Sequence, residues 1–293
     1  MLQLLAVAHS SAFLYVPEPF SNCGLAHIEE GYEEPAMTGL PKALPWSVTI
    51  SCKCRSEELH PIIVQCHGNL IETEPGTGRS DVILTTASCL QRHTSCRQCK
   101  VIQQAPKRAI PISIVLPNLE YQTNHLSNNV ALLFTATYIK FNNASSPVCL
   151  NDDKDEGKAK ERCVVTSTGN GLGAYPAYIK AVANYSEHRC NTSTTAACTE
   201  ISLQPPSDYI REGLTMLCQR NNRWVLHAIG DGQWSNNRTM LANVADSKHW
   251  INTKIKYIRS NLPEIRTPRK LATRIRTSSH RNSTRVQVKD NCC

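Results

Sequence analysis

Fourteen cysteines in 293 residues constrain this chain more than any other feature. A reducing compartment rarely leaves so many thiols unpaired unless they hold metal, and most of the spacings here are wide and irregular. Wide spacing suits disulfides that staple distant strands. Five Asn-X-Ser/Thr sequons begin at Asn143, Asn184, Asn191, Asn237 and Asn282 and point the same way. Together they predict a secreted, disulfide-bonded glycoprotein.

Between residues 45 and 245 short β-prone runs alternate with turn signals. Trp46-Ser-Val-Thr-Ile50 and Ile62-Ile-Val-Gln-Cys66 alternate apolar and polar residues. Val82-Ile-Leu84, Ile112-Ser-Ile-Val115, Val130-Ala-Leu-Leu-Phe134, Cys163-Val-Val-Thr166, Trp224-Val-Leu226 and Met240-Leu-Ala-Asn-Val244 continue the theme. Clusters such as Glu74-Pro-Gly-Thr-Gly78 and Gln204-Pro-Pro-Ser-Asp208 separate them. Many short strands with such punctuation predict an all-β barrel or sandwich. The charged stretch Asn151 to Arg162 divides the region into two halves, about 44–150 and 151–245. Asp246 is expected to cap one helix over 246–258, in which Trp250, Ile251, Ile255 and Ile258 recur at helical spacing.

No stretch approaches the ~18 uninterrupted apolar residues of a membrane-spanning helix. Residues 1–22 open with an apolar run broken at His9 and are expected to be a leader. The net charge of +8 is concentrated at the other end. From Arg259 to Cys293 stand nine Lys or Arg against Glu264 and Asp290, a net +7. That stretch, 259–293, reads as a flexible basic tail suited to sulfated glycans or acidic surfaces. The folded part carries no electrostatic sign of DNA binding. Gly169-Asn-Gly-Leu-Gly173 has the wrong spacing and no following helix for a dinucleotide loop, so no cofactor is expected.

Eight local strings, in order, carry a resemblance to a known family. They are Leu44-Pro-Trp-Ser-Val48, Cys66-His-Gly-Asn-Leu-Ile71, Val82-Ile-Leu-Thr-Thr-Ala-Ser-Cys-Leu90, Asn129-Val-Ala-Leu-Leu133, Pro147-Val-Cys-Leu150, Cys163-Val-Val-Thr-Ser-Thr-Gly169, Trp224-Val-Leu-His-Ala-Ile229 and Asn243-Val-Ala-Asp-Ser-Lys-His-Trp-Ile251. Over residues 23–258 the chain resembles the chymotrypsin/trypsin-like serine proteases. The resemblance implies a trypsin-like double six-stranded β-barrel with a C-terminal helix. It also implies disulfides Cys66–Cys89, Cys163–Cys218, Cys190–Cys198 and Cys23–Cys149, each contributing ~2–4 kcal/mol. Both partners of the family's bridge beside the nucleophile are missing.

The same resemblance implies a degenerate active site. Acyl transfer needs a serine nucleophile, a histidine base and an aspartate that orients the base. The histidine position is Ser88, the aspartate position is Asn129 and the nucleophile position is Glu212. A hydroxyl does not accept a proton near neutral pH, an amide carries no charge to stabilise imidazolium, and a carboxylate is a poor acyl acceptor. Only Gly213 suggests the neighbouring turn. Ile28 to Leu40 contains no Lys or Arg at which a tryptic cleavage would free a new N-terminus. The expected function is therefore an inactive protease homologue that binds an unidentified protein partner, similar to the mammalian testis group of such proteins. Residual hydrolysis through a relocated histidine, His67 or His125, is the alternative, as is polyanion binding through the tail.

Six cysteines fall outside the family pattern. Cys52 and Cys54 face Cys96 and Cys99 in the implied fold. Four thiolates at these spacings suit zinc, but in an oxidising compartment two extra disulfides are the simpler outcome, so no metal is expected. The sequence does not place Cys292 and Cys293.

Overall fold

The computed structural model describes residues 23–25, 44–54, 62–91, 96–103, 107–121, 127–151, 162–167, 178–189, 197–203, 213–230 and 238–261. The expected leader, the stretch beyond Asn261, His125, Cys190, Glu212, Asn191, Asn237, Asn282, Cys292 and Cys293 lie outside these residues.

The first half forms β1 (Ser47–Cys54), β2 (Ile62–Leu70), β3 (Arg79–Thr85), β4 (Cys96–Gln103), β5 (Arg108–Pro117) and β6 (Ala131–Lys140), with the short helix α1 (Ala87–Gln91) after β3. They close into a barrel in the order β1-β2-β3-β6-β5-β4. Alternation places Val48, Ile50, Val82, Leu84, Leu132 and Phe134 among the buried core residues. Each fully buried aliphatic side chain contributes ~1.5–3 kcal/mol.

The second half contributes β7 (Cys149–Leu150), β8 (Arg162–Ser167), β9 (Tyr178–Arg189), β10 (Ala197–Leu203), β11 (Leu214–Arg220), β12 (Arg223–Gly230) and β13 (Arg238–Asn243). They form a seven-stranded sheet ordered β11-β8-β9-β10-β13-β12-β7, which curls back on itself because β11 also pairs with β12. The sequence expects six strands here. The seventh is β7, which the sequence assigns to the first half. It pairs in parallel with β12 through Val225 and Leu226. A separate core cluster of this half centres on Val165, Ile201, Leu214, Met216 and Leu241.

Five disulfides fasten the described residues. Cys66–Cys89 and Cys163–Cys218 join the pairs implied by the resemblance, and Cys23–Cys149 ties the N-terminal segment to β7. Cys52–Cys99 and Cys54–Cys96 bridge directly opposed residues of β1 and β4. These four sulfurs are therefore taken up as disulfides and not held as zinc thiolates. Cys198 is buried and disulfide-bonded. Next to Cys23, Gly24 has φ +71° and its amide donates to Pro147 O, while its carbonyl accepts from Trp224 N. A Cβ at this glycine would strike the Trp224 backbone.

The helix α2 runs Val244–Asn261, longer at both ends than the expected 246–258. Asn243, not Asp246, caps it, because the Ala245 amide donates to Asn243 Oδ1 at 3.0 Å. Asp246 lies in the first turn, where its charge opposes the helix dipole favourably. At the other end Arg259 belongs to the helix and not to the tail. Its guanidinium lies against Asp81 on β3, with Glu74 and Thr73 beside it. The excess of Arg and Lys downstream hides this role in the sequence, since nothing local distinguishes Arg259 from its basic neighbours.

Candidate functional site

Three strands and a helical turn converge where the two halves meet. Thr86 precedes α1, and its hydroxyl accepts from Cys89 N at 3.4 Å, which fixes the turn that carries Ser88. Ser88 is fully buried, and its amide donates to Asn129 Oδ1 at 2.9 Å. Asn129 reaches this position because Asn128 takes φ +61°, a left-handed conformation that Asn tolerates better than most residues. The Asn128 carbonyl then accepts from Val130 N at 2.7 Å. The sequence separates Ser88 and Asn129 by 41 residues, and the fold puts them in direct contact.

This contact has a specific chemical meaning. The Asn129 amide oxygen is engaged by backbone, and its Nδ2 has no hydrogen-bond partner among the described residues. Neither Ser88 nor Asn129 titrates near neutral pH, so the pair can neither take up nor release a proton. Between them they provide a hydroxyl and an amide, neither of which acts as a general base or as a charged partner for one.

His67 lies on the other flank of the Cys66–Cys89 bridge, one residue after Cys66 on β2, while Ser88 is one residue before Cys89 on α1. Its ring is 1% exposed. Burial, opposed by a hydrogen bond with Asn69, lowers its pKa from 6.5 to about 4, so the imidazole is neutral at physiological pH. Nε2 lies 3.3 Å from Thr166 Oγ1 on β8. A second bond between the halves runs from Asn69 Nδ2 to Thr215 Oγ1 on β11, at 3.0 Å. Gly213 packs on the His67 backbone with φ +82°, and a Cβ there would come within 2.8 Å of His67 N. The histidine therefore fills the seam between the halves as a neutral, packed group.

A family model described as Trypsin matches residues 41–212, more than half of the chain. The chain belongs to the trypsin family. The match ends at Glu212, the residue that the resemblance sets at the nucleophile position. The resemblance sets Ser88 and Asn129 at the positions of base and orienting acid, and the structure brings these two residues together. Glu212 lies outside the described residues, while the adjacent Gly213 is placed against His67.

The sequence reading missed one feature of the site and one within the second sheet. One is the buried seam of His67, Thr166, Asn69 and Thr215. Its only signal was a histidine beside Cys66 in a string otherwise made of small and apolar residues. The other is the imidazole–carboxylate pair His227–Glu187, with Nε2 and Oε1 3.0 Å apart and Tyr185 edge-on to the ring at 5.5 Å. The hydrogen bond from His227 holds the Glu187 carboxyl below its ordinary range. The two residues sit on β12 and β9, and forty residues of sequence hide their contact.

Proposed function

We propose that this trypsin-family protein is a catalytically inert, secreted and glycosylated binding protein. The observation that carries the reading is the Ser88 N–H to Asn129 Oδ1 hydrogen bond, formed at the positions where the family's chemistry needs histidine and aspartate. Without a base the attack step has no proton acceptor, and loss of the triad costs ~10⁶ in turnover. His67 does not replace the missing base. It is buried, held near pKa 4 and engaged with Thr166, so neither a substrate nor a nucleophile has access to it.

Disulfides and the exposed sequon at Asn143 support an extracellular setting. A disulfide-stapled barrel is a suitable platform for protein recognition. The test is treatment of the purified full chain with a fluorophosphonate probe and a panel of peptide substrates. Absence of labelling and of turnover is expected. Labelling that is lost on replacing a single serine would overturn the reading.

A further inference from the structure

The outer face of the first barrel carries a surface that the catalytic reading leaves unused. On β1, Lys53 stands opposite Ile63 of β2 and Gln98 of β4. Ser51 stands opposite Lys100, which in turn stands opposite Pro111 of β5. Cross-strand partners share a face of the sheet, and alternation turns Ile50 and Cys52 inward and Lys53 outward. Ser51, Lys53, Ile63, Lys100, Ala109 and Pro111 line an open depression of about 330 Å³. Ile63 is 52% exposed there.

Charge on the strands that carry this face is one-sided. β1, β2, β4 and β5 contain Lys53, Arg97, Lys100 and Arg108 but no Asp or Glu. Glu57 and Glu58, in the loop between β1 and β2, lie outside the described residues. Two ammonium groups thus flank an apolar floor and have no carboxylate on the strands that carry them.

The shape of the barrel narrows the mode of recognition. β1, at the centre of this face, is paired with β2 on one side and β4 on the other from Val48 to Cys54, so it offers no free edge to an added strand. A ligand over β1 therefore binds by its side chains. A sulfated glycan would pair with the lysines and leave Ile63, Ala109 and Pro111 uncovered. A purely apolar ligand would bury lysines without partners. A peptide with carboxylates on either side of one apolar side chain satisfies both requirements.

We propose that this face docks an acidic segment of a partner protein, with one apolar side chain over Ile63 and Pro111 and carboxylates paired to Lys53 and Lys100. The proposal rests on the reading of the chain as a binding protein and names the surface and the chemistry of the partner. Affinity should fall with salt, because the paired charges are exposed.

The experiment is fluorescence anisotropy of the full chain with a labelled peptide, Gly-Glu-Glu-Leu-Glu-Glu-Gly. Saturable binding is expected. It should weaken about tenfold or more, ~1.4 kcal/mol, in the K53E/K100E variant, in Ile63→Ser, and when Ser replaces the peptide's Leu. Unfolding midpoints of these surface variants should match the parent. Three results would overturn the proposal: no binding at millimolar peptide, equal binding by K53E/K100E with loss only on removing residues after Asn261, or equally tight binding of the Leu-free peptide and a heparin oligosaccharide. Fluorophosphonate labelling is independent of these variants. A labelled chain would sink the inert reading alone, and lost peptide binding would sink the docking face alone.

Discussion

Arg259, in the last turn of the C-terminal helix, reaches across 178 residues of sequence to grip the buried carboxylate of Asp81 on β3, with Nη1 donating to Oδ2 at 2.9 Å. Burial works against the Arg259 charge. The hydrogen bond and charge of Asp81 outweigh it, with Tyr138 and Glu74 adding to the effect, so the guanidinium pKa lies above its usual value. The planar fork engages both carboxylate oxygens, a geometry that lysine does not reproduce. The end of the helix is thereby fastened to the first barrel.

Removing one member of that pair leaves the other charged and buried. Arg259→Ala is expected to cost about 3 kcal/mol, and Arg259→Lys should recover only part of it. Urea unfolding of the two variants and of Asp81→Asn, combined in a double-mutant cycle, measures the coupling. Additive effects would show that the pair does not act as a unit.

His67 makes stability depend on pH. In the unfolded chain its imidazole takes a proton near 6.5, and in the folded chain only at about 4. Between these values the unfolded state binds more protons, so stability is complete above about 6.5 and falls as pH drops toward 4. The total loss is on the order of 3 kcal/mol. Comparison of unfolding free energies at pH 7 and pH 4.5 should show this loss in the parent. His67→Gln removes that titration, so its stability should change less over the same interval.

The extent to which the sequence disclosed this molecule follows from the range of each signal. Strands such as Trp46 to Ile50 were legible because alternation and β-branching are local, and the resemblance supplied the pairing of cysteines far apart. The strand at Cys149–Leu150 was not legible because two residues carry no periodicity. The Asn243 cap was passed over for Asp246, which has the same capping chemistry three residues later. Arg259 reads in the sequence as the start of the basic tail, since its contact with Asp81 depends on where the helix lies on the barrel. For the site, the identities of Ser88 and Asn129 were legible from motif alignment. The burial of His67 was not, because a lone histidine in a strand has no signature for which side it faces.

The Ser88–Asn129 contact has its own energetic test. Asn129→Ala leaves the buried Ser88 amide without its acceptor and is expected to cost about 1–3 kcal/mol. Asn129→Asp keeps an acceptor oxygen and should retain more of the bond. Neither should create activity. If Asn129→Ala unfolds at the same denaturant concentration as the parent, the hydrogen bond contributes nothing to the turn.

The paired bridges Cys52–Cys99 and Cys54–Cys96 are nested, with sequence separations of 47 and 42. Once either is closed, the other closes only a ring of a few residues, so chain entropy assigns each single removal about 2 kcal/mol and removal of both about 6 kcal/mol. Replacing each pair by alanines, singly and together, should therefore give a double loss larger than the sum of the single losses. Simple additivity in urea unfolding would mean that native-state packing, rather than loop closure, sets their contribution.

The last expectation concerns the stretch after Asn261. Because Arg259 is bound to Asp81, it should not be removed with the tail, and the proper truncation ends at Asn261 rather than Ile258. Residues 262–293 still hold eight Lys or Arg against Glu264 and Asp290. No aromatic residue follows Tyr257, so stacking with bases has no platform and charge pairing with sulfate or carboxylate is what remains. The full chain should elute from a heparin column at higher salt than the protein ending at Asn261, and the gap should close in a variant with its tail arginines replaced by glutamine. Equal elution of the full and truncated proteins would remove the tail from any account of polyanion binding. Retention of the truncated protein would then have to come from folded basic surfaces, and the K53E/K100E variant would test the outer face of the first barrel as its source.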